Sequence, residues 1–339
     1  MKRLLNTLYI TDEKAYLSTD GDNIVCTSEN KEKFRIPFLN IESIYCFNYL
    51  GCSPSLMGKC VERGISLCFL SPYGKFLAKV CGETKGNVFL RKQQIECFDE
   101  NLLLIKNNVA SKLSNTRYNL KRSIRDNRER FDMTELENCC ETLTSQIDRV
   151  YQENEIDIIR GIEGNCAKAY FYVFGNMIVR SKDDFKITGR SKRPPRDRIN
   201  AVLSFLYTIY THDYAAALEC VGLDSYIGFY HTLRSGRASL ACDLVEETRF
   251  IVDRLVVSMI NLGILTKKDF DNEISGAVFL NDDGRKKVLT KWQEKKRESF
   301  THPYLKQKIS YGLIPYVQSS LLAKYVRGEI EEYPSFVMR

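Results

Sequence analysis

Residues 75–113 read KFLAKVCGETKGNVFLRKQQIECFDENLLLIKNNVASKL, and the chain changes character inside them. Lys75–Val80 is a short strand-type run, and near residue 86 that pattern stops. From Leu90 onward the apolar residues recur at helical spacing, almost to the end. Upstream lie further runs rich in β-branched and aromatic residues: Leu4–Ile10, Ala15–Ser18, Asn23–Thr27, Phe34–Phe38, Ser43–Phe47 and Ile65–Leu70. Asp20-Gly21-Asp22-Asn23 and Ser71-Pro72-Tyr73-Gly74 supply turn chemistry between such runs. One helix interrupts them, with Ser53 as N-cap, Pro54 in the first helical position and Gly64 at its end. Downstream, helices are expected over 90–113, 133–152, 156–181, 197–219, 239–262 and 313–327, with Gly263 and Gly328 as stops. A strand block followed by a helix block predicts an α+β protein: a small N-terminal β domain over 1–85 and a larger all-α domain over 86–339.

The 339 residues carry 44% hydrophobic and 27% charged side chains, which excludes wholesale disorder, collagen and coiled-coil rods. Twelve cysteines contain no C-x-x-C pair, so zinc fingers and ribbons are excluded. Cysteines among apolar neighbours, as in Leu67-Cys68-Phe69, read as reduced thiols packed as small hydrophobes in a cytoplasmic protein. Asn6, Asp12 and Glu13 interrupt the N-terminal apolar stretch, so no signal peptide is expected. The longest nearly apolar run, Leu255–Leu265, is far short of the roughly 20 residues that cross a bilayer, so no membrane association is expected. Gly51 to Gly58-Lys59 misses P-loop spacing, and Cys60 stands where a hydroxyl is needed.

Lys and Arg exceed Asp and Glu by 50 to 43, a formal charge of +7. The excess clusters over 117–130, 186–198 and 285–297. In the middle cluster Gly189, Pro194 and Pro195 prevent a helix, so Arg190, Lys192, Arg193, Arg196 and Arg198 are expected on a loop. Guanidinium forks match phosphate oxygens, so these five are candidate DNA contacts; an ordinary solvated linker is the alternative.

Two segments could carry chemistry. Around Glu163, Ile159, Ile162, Cys166, Tyr170, Val173 and Met177 form one apolar helix face, and Gly161 and Gly164 flank the carboxylate. Two costly helix glycines beside one acid suggest close approach to the backbone. Further on, His231 leads through a Gly236-containing loop into a helix from Ser239, where Asp243 and Glu246 share a face. A surface ladder ending at Arg249 would explain the carboxylates without function. One imidazole with two or three carboxylates suits Mg²⁺ or Mn²⁺ at a phosphodiester.

The chain resembles the CRISPR-associated integrases, the endonuclease-like subunits of spacer-acquisition complexes, and looks closest to the subtype I-C form. The resemblance is carried by Gly161-Ile-Glu163-Gly164 with Tyr170-Phe171, the run TGRSKRPPRDRIN at 188–200, His231-Thr with Gly236–Leu240, Asp243-Leu-Val-Glu246-Glu247, and Gly312–Gln318. It departs from the family pattern at Ala238 and Cys242. The resemblance implies Glu163, His231 and Glu246 as metal ligands, with Asp243 beside them in the catalytic set. It implies transesterification that joins the 3′-hydroxyls of protospacer DNA to the CRISPR repeat, and hydrolysis at the same site. It also implies a homodimer formed through the N-terminal domain and a small ferredoxin-like adaptation partner. The competing expectations are a non-catalytic nucleic-acid scaffold and a plain metal-dependent DNA nuclease.

Overall fold

A computed structural model of the protein describes residues 6–72, 76–82, 88–99, 101–129 and 131–338. Leu4, Tyr73 and Gly74 of an expected turn, Lys75, Arg130 and the expected boundary at 85/86 lie outside that set.

The N-terminal strands are β1 (Thr7–Ile10), β2 (Ala15–Asp20), β3 (Asn23–Ser28), β4 (Lys31–Pro37), β5 (Ser43–Cys46), β6 (Ser66–Leu70) and β7 (Phe76–Val80), with α1 (Pro54–Glu62) between β5 and β6. β2, β3 and β4 form an antiparallel meander. Asp20 pairs with Asn23, so Gly21-Asp22 is a two-residue hairpin turn, and Gly21 takes the φ of +53° that such turns need. A second sheet runs β1-β5-β6-β7, parallel except at its last pair. Parallel neighbours require a crossover, and α1 supplies the one between β5 and β6. The Ser53 hydroxyl accepts the Leu56 N–H at 3.2 Å, Pro54 opens α1, and Gly64 follows it at φ +66°, as the sequence predicts.

Leu17, Ile24, Ile44, Leu56 and Leu67 form the centre of this core with Cys46 and Cys60. Burial pushes the Cys60 thiol up to about 12 and the Cys52 thiol to about 11. Thiols held so far from ionisation behave as packing groups.

The helical part comprises α2 (Val88–Phe98), α3 (Leu102–Asn127), α4 (Thr134–Gln152), α5 (Ile156–Val173), α6 (Arg198–Cys220), α7 (Ser239–Thr248), α8 (Phe250–Asn261), α9 (Asp282–Arg297) and α10 (Ile314–Val326). Expectations change in several places. The helix expected over 239–262 is α7 and α8, parted at Arg249, and the one expected over 156–181 ends as an α-helix at Val173. The helix expected over 90–113 is two, because the Asn101 side chain accepts the Leu104 N–H at 3.1 Å and starts α3 afresh. The region is also not all-α: β8 (Phe270–Asn272) pairs with β9 (Val278–Leu280), and β10 (Ser299–Thr301) with β11 (Lys308–Ser310).

The chain divides into two compact units, neither of which is continuous in sequence. The first holds Met1–Gly86 with Asn281–Ser299 and Ser310–Leu313; the second holds Asn87–Leu280, Phe300–Ile309 and Ile314–Arg339. The reason is α9, which buries Val288, Leu289 and Trp292 and whose Lys296 donates to the Thr7 hydroxyl at 3.0 Å. Arg285 and Lys296 are themselves buried, so part of the 285–297 charge is structural. Among the described residues no helix is long and apolar enough to cross a membrane.

Candidate active site

In the second unit, Glu163, His231 and Glu246 line one open cleft of about 910 Å³, together with Lys112, Arg190, Lys192 and Arg249. The three candidate ligands lie far apart in the chain, on α5, on the loop before α7 and on α7. Ile159, Ile162, Cys166 and Tyr170 bury the inner face of α5, which leaves Glu163 at the edge of that stripe, facing the cleft. A side chain built at Gly161 or Gly164 would meet nothing within 4 Å, and Gly164 lines the cleft. The glycines therefore leave helix backbone bare beside the carboxylate, not crowded against protein.

Asp243 and Glu246 part company. Glu246 reaches the cleft, whereas Asp243 is fully buried. Asp243, expected in the catalytic set, lies beneath the loop that carries His231 and contacts that loop directly. Its Oδ2 accepts the N–H groups of Phe229 at 2.8 Å and Tyr230 at 3.2 Å, and its Oδ1 accepts the His231 N–H at 2.9 Å. The same Oδ1 lies 2.5 Å from His231 Nδ1. A Cβ at Gly228 would come within 2.5 Å of Asp243 Oδ2, so only glycine lets the loop wrap the carboxylate. In the neutral ring this bond keeps the proton on Nδ1 and leaves the Nε2 lone pair available.

Cations crowd the cleft's carboxylates. Lys112, on α3, forms ion pairs with both Glu163 and Glu246, the latter at 2.6 Å. Arg249 grips Glu246 with one nitrogen at 2.7 and 2.8 Å from its two oxygens. Burial alone would push the Glu246 carboxyl up, but the charges of Arg249 and Lys112 outweigh it and hold the group far below the usual carboxylate range. The Arg249 guanidinium lies 4.2 Å from the Tyr207 ring centre. The Tyr207 hydroxyl donates to Asp253, as does that of Tyr170 at 3.0 Å. The Arg249–Glu246 pair anticipated as a surface ladder is thus a semi-buried pair with a polar network behind it. Lys192 is exposed overall but leans into the cleft, where partial desolvation and the neighbouring charge of Arg249 push its ammonium below its ordinary value.

The basic loop is not uniform. Arg190 donates to Asn200 at 2.6 Å, to Ser204 at 3.0 Å and to the Ser191 carbonyl at 2.5 Å. Arg198 donates to the Asp184 carbonyl at 2.6 Å and Arg196 to that of Ser275 at 2.8 Å. Lys192, Arg193 and Arg196 are exposed.

The donor types suit a hard divalent ion: two carboxylates that meet at one ammonium, and an imidazole nitrogen held ready by a buried carboxylate. Among the described residues, no three His, Cys, Asp or Glu side chains stand close enough to hold a metal ion as placed. The cation between the carboxylates is Lys112.

Lys112, Tyr207 and Asp253 escaped the sequence reading. A signal for Lys112 existed. Asn108, Lys112, Asn115 and Asn119 follow helical spacing along α3, and the three asparagines are buried. Their amides donate to the carbonyls of Asp243, Glu247 and Phe250 at 2.9, 2.6 and 2.7 Å, so this polar stripe fixes α7 and the start of α8. His302 is buried and bonds Gln318 at 3.2 Å.

Comparison with known proteins gives a consistent picture. A family model described as CRISPR associated protein Cas1 matches residues 8–294. A protein of Chlorobaculum tepidum named CRISPR-associated endonuclease Cas1 1 is 43% identical over 100% of both chains. A solved casposase bound to its integration product superposes with a TM-score of 0.83 at 21% identity, over 97% of this chain and 94% of that one. A Cas6-RT-Cas1–Cas2 complex superposes with a TM-score of 0.81 at 19% identity, over 98% of this chain and 36% of that one.

Proposed function

We propose that this chain, which belongs to the Cas1 family of CRISPR-associated proteins, acts as a DNA integrase and endonuclease in adaptation, with Glu163, His231 and Glu246 as its reaction centre. The observation that carries this reading is the meeting of those three side chains on one cation-rimmed cleft. Glu163, Glu246 and His231 Nε2 would hold Mg²⁺ or Mn²⁺. Bound there, the ion would activate a DNA 3′-hydroxyl or a water and stabilise charge on the phosphate. Asp243 holds the imidazole in one tautomer and orientation. Arg249 keeps Glu246 ionised. Lys192 and Arg193, exposed on the basic loop, are the side chains best placed to take DNA phosphates; Arg196, Arg198 and Arg190 belong to the same proposed contact region, with Arg190 chiefly holding the loop's shape.

The proposed substrates are the protospacer duplex and the CRISPR repeat. The N-terminal unit is the proposed homodimer surface, and a small ferredoxin-like adaptation protein the proposed partner; the Cas6-RT-Cas1–Cas2 complex among the structural neighbours supports a second Cas protein as partner. The ordered motifs at 161–171, 188–200, 231–247 and 312–318 support a subtype I-C form. A cytoplasmic location suits DNA substrates and twelve cysteines, all unbridged.

The test is strand joining with Mn²⁺. Glu163→Gln and Glu246→Gln should lose the joining of a 3′-hydroxyl duplex to repeat DNA while keeping their circular dichroism. Folded variants that join at the parent rate would remove both residues from the reaction centre. With a supercoiled array plasmid, products carrying the duplex mark integration, and nicks alone mark a plain nuclease.

A further inference from the structure

We propose that Lys112 is an internal counter-cation of the reaction centre: its ammonium takes the place between Glu163 and Glu246 that a divalent ion would fill, so the ion binds only by displacing it. This inference rests on the metal reading given above.

Three observations support it. The ammonium touches carboxylates from two different helices at once, Glu163 on α5 and Glu246 on α7. The contacts are sheltered, with the side chains of Lys112, Glu163 and Glu246 exposed by 11%, 23% and 14%. Lys112 also projects from the α3 stripe whose asparagines hold α7 in place, so its root is fixed by the fold. Two carboxylates brought together repel unless a cation or a proton offsets them. Arg249 pairs with Glu246 through both of its oxygens. Lys112 is the cation shared by both carboxylates, which is the electrostatic task of the metal.

The competition has a definite sign. An ion that must expel a resident ammonium binds more weakly by the cost of that expulsion. An uncharged side chain at 112 should therefore raise ion affinity. A lysine that merely braced the helices would leave affinity unchanged on removal, and one that aligned the carboxylates for the ion would lower it.

The full-length chain without DNA is titrated with Mn²⁺ alone at fixed pH and salt, and free Mn²⁺ is followed by electron paramagnetic resonance. The parent, Lys112→Met, Lys112→Gln and Lys112→Arg are compared, each with and without Glu163→Gln as the control for site occupancy. Lys112→Met and Lys112→Gln should bind at the Glu163-dependent site about tenfold more tightly than the parent, a shift of about 1.4 kcal/mol. Lys112→Arg should stay within about threefold of it, since the charge is kept. Circular dichroism identifies folded variants, and either neutral variant suffices. Unchanged or weaker Mn²⁺ binding in a folded neutral variant would overturn the displacement role while leaving the metal site standing. No Glu163-dependent Mn²⁺ binding in parent or variant would overturn the metal reading and this inference with it.

Discussion

Asp243 and Glu246 illustrate what three residues of helix can separate. Three steps of about 100° place two side chains about 60° apart around the axis, close enough to share a face by spacing yet far enough to straddle an edge. On α7 that edge divides core from cleft, so Glu246 meets Lys112 and Arg249 while Asp243 disappears beneath the 228–231 loop. The spacing was legible in the sequence, and so was the company of His231. The division of labour was not, because it depends on where the loop from Gly228 lies. Asp243→Asn exchanges one acceptor oxygen for a donor amide facing backbone N–H groups, and it frees the His231 tautomer. Loss of a carboxylate that orients a ligand histidine typically costs 10–100-fold. Strand joining by Asp243→Asn should fall by about that factor. Nitrogen-15 spectra of the His231 ring should show loss of the single Nδ1–H form. A variant with parent activity and an unchanged tautomer would show that the contact does not position the ring.

At the level of elements, ends marked by backbone chemistry were readable: the Ser53-Pro54 start of α1, Gly64 after it, and the stops at Gly263 and Gly328, with φ of +70° and +71°. Segments set by long-range packing were not. Residues 329–338 have no periodicity, yet Tyr333 and Phe336 are buried and the Met338 N–H donates to Asn115 at 2.8 Å. The anchor is Glu247, which accepts from Asn108, Gln318, the Tyr333 hydroxyl and the Phe336 N–H at 3.1, 3.2, 3.1 and 2.9 Å. Burial nevertheless pushes its carboxyl up to about 7 from an ordinary 4.5. A raised folded value favours the protonated fold, so this stabilisation is full below about pH 4.5 and is lost as the pH rises through about 7. The span corresponds to about 3 kcal/mol. Glu247→Gln cannot titrate, so its unfolding free energy relative to the parent should rise by about that amount between pH 4.5 and 8. Denaturant unfolding at both ends of the window measures the difference, and a constant offset would show that Glu247 does not titrate there.

Over the whole molecule, a charge of +7 says little until the internally committed cations are separated from those facing water. The sequence located the clusters but could not tell these groups apart, since both have the same composition. Arg285 and Lys296 are buried in the first unit, and Arg190 is bound to Asn200 and Ser204 with its guanidinium 5.5 Å from the Tyr207 ring centre. Lys192 and Arg193 face solvent on the same loop. Charges that neutralise phosphates release counterions, and each such contact steepens the dependence of log affinity on log salt by about 0.9. Lys192→Ala and Arg193→Ala should each flatten that slope for duplex DNA by about 1, leaving the melting temperature nearly unchanged. Arg190→Ala should do the reverse: it strands buried acceptors, costs on the order of 1–3 kcal/mol of stability, and leaves the slope close to the parent's. Fluorescence anisotropy across a salt series, paired with thermal melts, separates the two behaviours. If Arg190→Ala flattened the slope as much as Arg193→Ala while melting at the parent temperature, Arg190 would be a DNA contact and not a strut of the loop.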